Sequence, residues 1–515
     1  AGRGLDDPEL PATLDAIPQG TPAAVKISAT IGPLYHVGKI TVRGDVPETD
    51  RRALNLNSGD PAIAAAVLGA QARLLAALQE DGYALAKMSD PQASANDTTH
   101  TIDIVYPVDK GPQLDIGNIT FNGLKDINPA FAQRALGIHP GQRYRTSRIE
   151  AARQALAGLG VFSGVSVHAA EHPDVDGRLP LTFDVEERKQ HAVTLAGAYS
   201  TDLGISLSAT WSHRNLFGNA EQLNLTVAGS GLGNSTRGLG YNLAAQYIQP
   251  LFQTAGQTLE FDLAAIKQQL DAYDQTAETL AGFVRRKFSA LWTGSAGLSL
   301  TQDDVVQEGT QTLYQLVALP ITVTYDSTGI ADALLDATTG LRTSAAVTPT
   351  HAFGGSDPSF LVMQVSAASY FDVSGDGRSV IALRGLVGSI VGGSNLEVPP
   401  DQRLYAGGSG TVRGYAYQSI GPQFPDSKPV GVKSVDAATV EFRQRIGEHW
   451  GAAAFLDAGQ AGTETPFTGA LHTGAGVGAR YYTPIGAVRV DVAVPLRRER
   501  GGDAFEFYIG LGQAF

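Results

Sequence analysis

Val488-Arg489-Val490-Asp491-Val492-Ala493-Val494 sets an apolar side chain at every second position, with charge between. A period of two marks a β-strand, because successive side chains point to opposite faces. Leu223-Asn224-Leu225-Thr226-Val227 alternates in the same way, as does Leu259-Glu260-Phe261-Asp262-Leu263. In the last strand Phe505, Phe507, Ile509 and Leu511 share a face that continues to Phe515. From about residue 190 onward no helical period interrupts this pattern. Two architectures alternate like this: a soluble sandwich with its apolar face inward, and a membrane barrel with its apolar face toward lipid. Glu260, Asp262, Arg489 and Asp491 suit a watery lumen, and roughly 326 residues is long for a sandwich. At about 20 residues per strand and turn, that span gives roughly 16 strands, an even number as bacterial barrels require. The expectation is a transmembrane barrel over 189–515, with Trp211, Tyr481 and Tyr482 near strand ends as interfacial aromatics.

Composition agrees. Only 17% of residues are charged and 60 are glycine, which departs from soluble averages in the direction of a barrel. Mean hydropathy is −0.05 and no run of 18 apolar residues occurs, so membrane-spanning helices are excluded. A net charge of −13 argues against nucleic acid as a partner. With no cysteine, disulfides and thiolate metal sites are excluded. Ala1 reads as the start of a processed or truncated chain, whose native precursor is expected to be longer.

The first part is a repeat. Gly32-Pro33, Gly38 and Gly44 recur as Gly111-Pro112, Gly117 and Gly123, all at an offset of 79 with no gap. Each copy reads β-α-α-β-β, an α+β module at 35–112 and again at 113–188. Asp60-Pro61 reads as a helix opening, followed by an apolar face of Leu68, Leu75 and Leu78. Ser147 and Glu150 have capping-box spacing ahead of Ile149, Ala152, Leu156 and Leu159. The copies close on Thr101–Tyr106 and Leu179–Val185, and residues 24–31 resemble those closing strands. The N-terminal segment 1–34 is therefore expected to be the tail of a preceding module.

Enzyme motifs are missing: the chain has no HExxH and no GxxxxGK[ST]. Gly474-Ala475-Gly476-Val477-Gly478 lacks a following helix, so it is not a dinucleotide loop. Asp372-Val373-Ser374-Gly375-Asp376-Gly377 lacks the twelfth-position glutamate of a calcium loop and reads as a hairpin turn. No enzymatic activity, cofactor or metal is expected.

What stands out is a connection of about 40 residues, 394–435, longer than structureless loops usually run. Its centre is Ala406-Gly407-Gly408-Ser409-Gly410-Thr411-Val412-Arg413-Gly414-Tyr415. With Phe455-Leu456-Asp457-Ala458-Gly459, and with Arg480, Thr483, Pro484 and Gly486 after it, this resembles the BamA/TamA superfamily of outer-membrane assembly and secretion barrels. Tyr417–Pro422 looks most like the TamA branch. The resemblance implies that the repeats are periplasmic POTRA modules and that the loop folds into the lumen. Its tip, Val412, Arg413, Gly414 and Tyr415, would dock on a wall motif of Phe455, Asp457 and Gly459. A guanidinium inside a barrel must be paired, so Arg413 is expected to meet Asp457.

The resemblance also implies an outer-membrane location in a Gram-negative bacterium, and a protein assembly or translocation role without covalent chemistry. Unfolded β-barrel or autotransporter clients would join exposed POTRA edges by β-augmentation. They would then enter the bilayer at a barrel seam, with Gly510, Gly512 and Phe515 on the closing strand. A periplasm-spanning TamB-like protein is the expected partner. Two rival readings stand beside it: a two-partner secretion exporter and a passive pore. Pro8, Pro11, Pro18 and Pro22 argue against the plug helix that such exporters carry.

Overall fold

The computed structural model describes residues 33–201, 203–232, 238–330, 335–483, 486–498 and 502–511. The expected tail of a preceding module, Pro484, Gly512 and Phe515 lie outside these, apart from residues 33 and 34. The chain divides into two compact units: Ala1–Asn118 with His139–Glu150 and Ala169–Leu181, and Ile119–Ile138 with Ala151–His168 and Thr182–Phe515.

The first repeat runs β1 (His36–Arg43), α1 (Glu48–Arg51), α2 (Ala64–Glu80), β2 (Lys87–Met88), β3 (Gln92–Asn96) and β4 (Thr101–Asp109). β4 is central: it pairs parallel with β1 and antiparallel with β2 and β3. Ala70, Leu74 and Leu78 recur every fourth residue, which places them on one helix face, and all are buried with Ile104 and Tyr106. Leu68 of the expected face is 54% exposed, because it lies off that stripe. Asp60-Pro61 does not open the helix. Asp60 Oδ2 accepts from Asn57 N at 2.8 Å in a turn, and α2 starts at Ala64 with no side-chain cap.

The second repeat has one strand in place of β2 and β3: β5 (Ile116–Asn122), α3 (Pro129–Leu136), α4 (Thr146–Ala157), β6 (Phe162–Ala169) and β7 (Leu179–Glu187), in a sheet ordered β5-β7-β6. The expected capping box is corrected. Ser147 sits inside α4, and it donates through N and Oγ to Glu80 at 2.9 and 2.6 Å. Within the second unit, Asn128 N donates to Gly218 O at 2.8 Å and Asn215 Nδ2 to Asp126 O at 3.0 Å. These bonds tie the loop before α3 to the first turn of the barrel on that side.

The barrel begins with β8 (His191–Ser200), β9 (Gly204–His213), β10 (Gln222–Leu232), β11 (Gly240–Pro250), β12 (Gln257–Gln269) and β13 (Asp274–Lys287). It continues with β14 (Trp292–Gln307), β15 (Thr310–Ala318), β16 (Ile321–Asp326), β17 (Gly340–Phe353), β18 (Ser359–Asp372) and β19 (Ser379–Val391). After the long loop come β20 (Ser434–Ile446), β21 (Trp450–Gly462), β22 (His472–Thr483), β23 (Gly486–Pro495) and β24 (Glu506–Leu511). Neighbours pair antiparallel and β24 returns to β8, closing the barrel. β15 and β16 both lie between β14 and β17, so they are halves of one strand interrupted at Leu319-Pro320. Proline has no N–H to give the ladder, which explains the break. Counted this way, the described residues form a barrel of sixteen strands.

Closure removes the sandwich alternative. The apolar faces, among them Leu195, Leu207, Val227, Leu263 and Leu280, point outward and are exposed, as lipid-facing side chains of a barrel are. Glu260 and Asp491 are buried inside instead. No helix among the described residues is long and apolar enough to cross a membrane, which is consistent with strands doing so. Trp211, Trp292 and Trp450 all sit at strand ends on the repeat side of the barrel, paired with Val193, Tyr325 and Tyr481. Tyr482 departs from the expected girdle, because one residue along a strand reverses the face: it lies under the Arg445 guanidinium, 4.5 Å from its ring centroid.

Candidate functional site

The loop between β19 and β20 is an ordered structure. Leu404 and Val432 exchange both backbone bonds at 2.9 Å, and Ala406 bridges Ile420. Arg403, 6% exposed, staples its base: Nε donates to Val398 O at 2.8 Å and Nη1 to Val430 O at 2.7 Å and Gln307 Oε1 at 3.0 Å. Ala406, Val412, Tyr415, Ile420 and Val432 of the loop are buried together with Val435 and Ala461 of the wall.

At the tip, Arg413 meets the wall. Its Nε donates to Asp457 Oδ2 at 2.7 Å and its Nη2 to Oδ1 at 2.9 Å, a side-on bidentate pair. Its backbone N adds a third bond to Oδ2 at 3.0 Å. The guanidinium lies 3.3 Å from the Phe455 ring centroid, and Nη1 donates to Glu441 Oε2 at 2.8 Å. Phe455 and Asp457 share the inward face of β21, since they are two residues apart on one strand. Gly414 N donates to Tyr508 OH at 3.2 Å, and Tyr415 OH to Arg497 O at 2.8 Å. The structure thus brings Val412, Arg413, Gly414 and Tyr415 together with Phe455, Asp457 and Gly459.

The charge network is wider than the motif pair. Glu441 Oε1 accepts from Arg443 Nε at 2.8 Å and lies 3.7 Å from Arg480 Nη2, while Arg480 Nη1 donates to Asp491. Three buried guanidiniums (Arg413, Arg443, Arg480) therefore face three buried carboxylates (Glu441, Asp457, Asp491), with the half-buried Asp336 3.8 Å from Arg443 as a fourth. Balance matters because a buried charge without a partner carries a large desolvation penalty. Glu441 and Arg443 escaped sequence reasoning. Their alternation with Phe442 marks them as inward-facing, but nothing local says what they face.

The seat itself is glycine. A Cβ on Gly474 would stand 1.9 Å from Arg413 O, one on Gly476 2.3 Å from Phe455 Cζ, and one on Gly478 1.9 Å from Asp491 Oδ1. Gly459 leaves the same room for Val412, whose Cγ2 would be 2.7 Å away. Gly474 therefore seats the loop tip itself, while Gly476 and Gly478 make room for Phe455 and Asp491, which surround Arg413. The Asp372 turn is a hairpin between β18 and β19, its carboxylate accepting from Ser374 N and Gly375 N at 3.0 Å.

The seam is the second feature. Among the described residues, β24 meets β8 through two residue pairs, Tyr508–Ser200 and Ile509–Tyr199, against six for β23–β24 and ten for β8–β9. Thr201 reinforces it: its N donates to Phe507 O at 3.1 Å, and its Oγ1 donates to Glu506. Gly510 lies in β24 opposite Arg489. Among the described residues, His191–Ala198 of β8 has no ladder partner on that side.

A family model described as the Omp85 superfamily domain matches residues 215–515. The chain belongs to the Omp85 superfamily. A second model, for the POTRA repeat described as a surface antigen variable number repeat, matches 35–111 and 114–188. Among curated relatives, the outer membrane protein assembly factor BamA of Neisseria meningitidis is 23% identical over 96% of this chain and 69% of its own length. BamA of Nitratidesulfovibrio vulgaris is 24% identical over 95% of this chain and 63% of its own, so this chain spans about two thirds of such relatives. Among solved structures, BamA from Haemophilus ducreyi lacking POTRA domains 1–3 covers 93% of this chain and all of that one, with a TM-score of 0.73 at 19% identity. CdiB from Acinetobacter baumannii covers 98% of this chain and 96% of its own at a TM-score of 0.57 and 14% identity. This Omp85 member is an outer-membrane β-barrel carrying periplasmic POTRA modules.

Proposed function

We propose that the chain is an outer-membrane protein assembly factor that inserts β-barrel or autotransporter clients, with no covalent chemistry of its own. Client segments in extended conformation join exposed POTRA edges by β-augmentation, and β3, exposed along its whole length, offers one such edge. They then enter the bilayer between β8 and β24. The observation that carries this reading is a seam that holds two residue pairs among the described residues. At roughly 1 kcal/mol net per hydrogen bond, so short a ladder opens for a few kcal/mol, whereas the neighbouring ladders do not.

The chain has no cysteine, so Tyr199→Cys with Ile509→Cys introduces the only thiols. Oxidation of that pair is expected to abolish client insertion and reduction to restore it. Full insertion with the seam locked overturns the reading.

A two-partner secretion exporter is the second reading, supported by the likeness to CdiB. An exporter passes its cargo through the lumen, so secretion would continue through a locked seam. A passive pore would instead show high, steady single-channel conductance. The TamA-like stretch Tyr417–Pro422 supports a finer assignment, in which a periplasm-spanning TamB-like protein is the partner. Affinity capture through the POTRA modules from envelope extracts tests it, and absence of any such protein removes that assignment.

A further inference from the structure

Arg413, Arg443 and Arg480 each donate to a carboxylate of this wall, and Arg489 is a further arginine beside them. It sits on β23 with Asp491, on the face opposite the exposed Val492 and Val494, and so points into the lumen. Its Nε is out of contact with solvent and has no hydrogen-bond partner. The carboxylate nearest in sequence, Asp491, is held by Arg480 and lies 3.9 Å from Arg413. Room for this guanidinium is kept by Gly510, where a Cβ would be 3.0 Å from Arg489 Nε and 3.4 Å from its Nη2. The glycine of the closing strand therefore does more than weaken pairing: it makes room for a guanidinium whose Nε has no hydrogen-bond acceptor among the described residues.

The space beside it is a cavity of about 620 Å³, lined by Arg489 and Gly510 together with Thr194, Ala196, Ala198 and Ser208. Small and hydroxylic side chains from β8 and β9 line it, and among the described residues His191–Ala198 of β8 has no ladder partner beside it. An extended segment pairing with β8 would send alternate side chains into this cavity. A donor left without an acceptor is costly, and an ionised acceptor relieves that cost best.

We propose that Arg489 is a specificity-determining residue of the seam, reading an acidic side chain that a client strand paired with β8 presents to the lumen. The inference rests on the assembly reading above. A carboxylate on a protein strand fits better than a lipid phosphate, because Arg489 faces away from the lipid side of its own strand.

The test uses the full chain in detergent micelles and nine-residue alternating peptides, each with Asp or Asn at one lumen-facing position walked along the strand. Binding is read by fluorescence anisotropy, and placement by cross-linking to Ala196→Cys. At one register the Asp peptide is expected to bind about tenfold tighter than its Asn twin. Arg489→Ala should erase that ratio, and Arg489→Lys should keep part of it. The Asp/Asn comparison on the unaltered chain stands even where a variant fails to fold. Equal binding of the twins at every register, with cross-linking intact, overturns the role of Arg489 while leaving seam pairing in place. No cross-linking of any peptide overturns the assembly reading itself. If Arg489→Ala leaves the peptide ratio unchanged but lowers phosphatidylglycerol retained in native mass spectra, the ligand is a lipid phosphate and the proposal falls.

Discussion

Arg413 shows how one residue organises the lumen. It makes three bonds to Asp457, one to Glu441, and a stack on Phe455. Removing either member of a buried pair leaves the other charge stranded, at roughly 3–5 kcal/mol. Arg413→Ala and Asp457→Ala are each expected to destabilise the barrel by that order, and the double variant by much less than their sum. Urea unfolding in micelles measures the cycle, and additive losses would remove the coupling. Lysine at 413 should rescue only in part, since it lacks the planar fork. Gly474→Ala makes a complementary case: a methyl 1.9 Å from Arg413 O must push the tip off its bed. Limited proteolysis should then cut within 404–432, and a loop still fully protected would contradict the geometry.

At the scale of elements, local signals were legible where neighbours in sequence are neighbours in space. The strand closing each repeat and the alternating barrel strands follow from a period of two, which each strand displays on its own. Helix starts were less legible. Ser147 has the spacing of a capping box with Glu150, yet the acceptor it uses is Glu80, 67 residues away. Hydrogen bonds from Ser147 hold the Glu80 carboxyl below the usual carboxylate range. A carboxyl depressed in the folded state contributes fully above its unfolded value, about 4.3, and loses that contribution as pH falls through the folded value. Thermal unfolding of the periplasmic half, followed by circular dichroism, should therefore drop more steeply below about pH 4 than it does for Ser147→Ala. Identical profiles would mean that this bond does not support α4. Pro320 teaches the same lesson in the barrel: it interrupts one strand into β15 and β16 without changing the strand order, because β14 and β17 pair with both halves.

For the whole molecule, the tryptophans report how the barrel sits in its bilayer. Trp211, Trp292 and Trp450 lie at one rim, at the end where the chain enters from the repeats, with Tyr325 and Tyr481 packed at steep angles against Trp292 and Trp450 at centroid distances of 5.0 and 4.9 Å. Tryptophan prefers the membrane–water interface. Quenchers placed near lipid headgroups are expected to dim all three, and quenchers at the bilayer centre far less. Strong quenching from the centre would place the hydrophobic band elsewhere on the barrel.

The sequence by itself determined the repeat, the barrel, and which side chains face the lumen, because offset and alternation are properties of the chain read in order. Through resemblance it also pointed to Arg413 and Asp457. Only the tertiary structure decided that Glu441, Arg443, Arg480 and Asp491 join their charge network, that Gly474 seats the loop tip, and that the described residues close the barrel on two residue pairs. Each of these depends on register between strands far apart in the chain. Register is set by the summed pairing of the whole closed sheet, which no local stretch encodes.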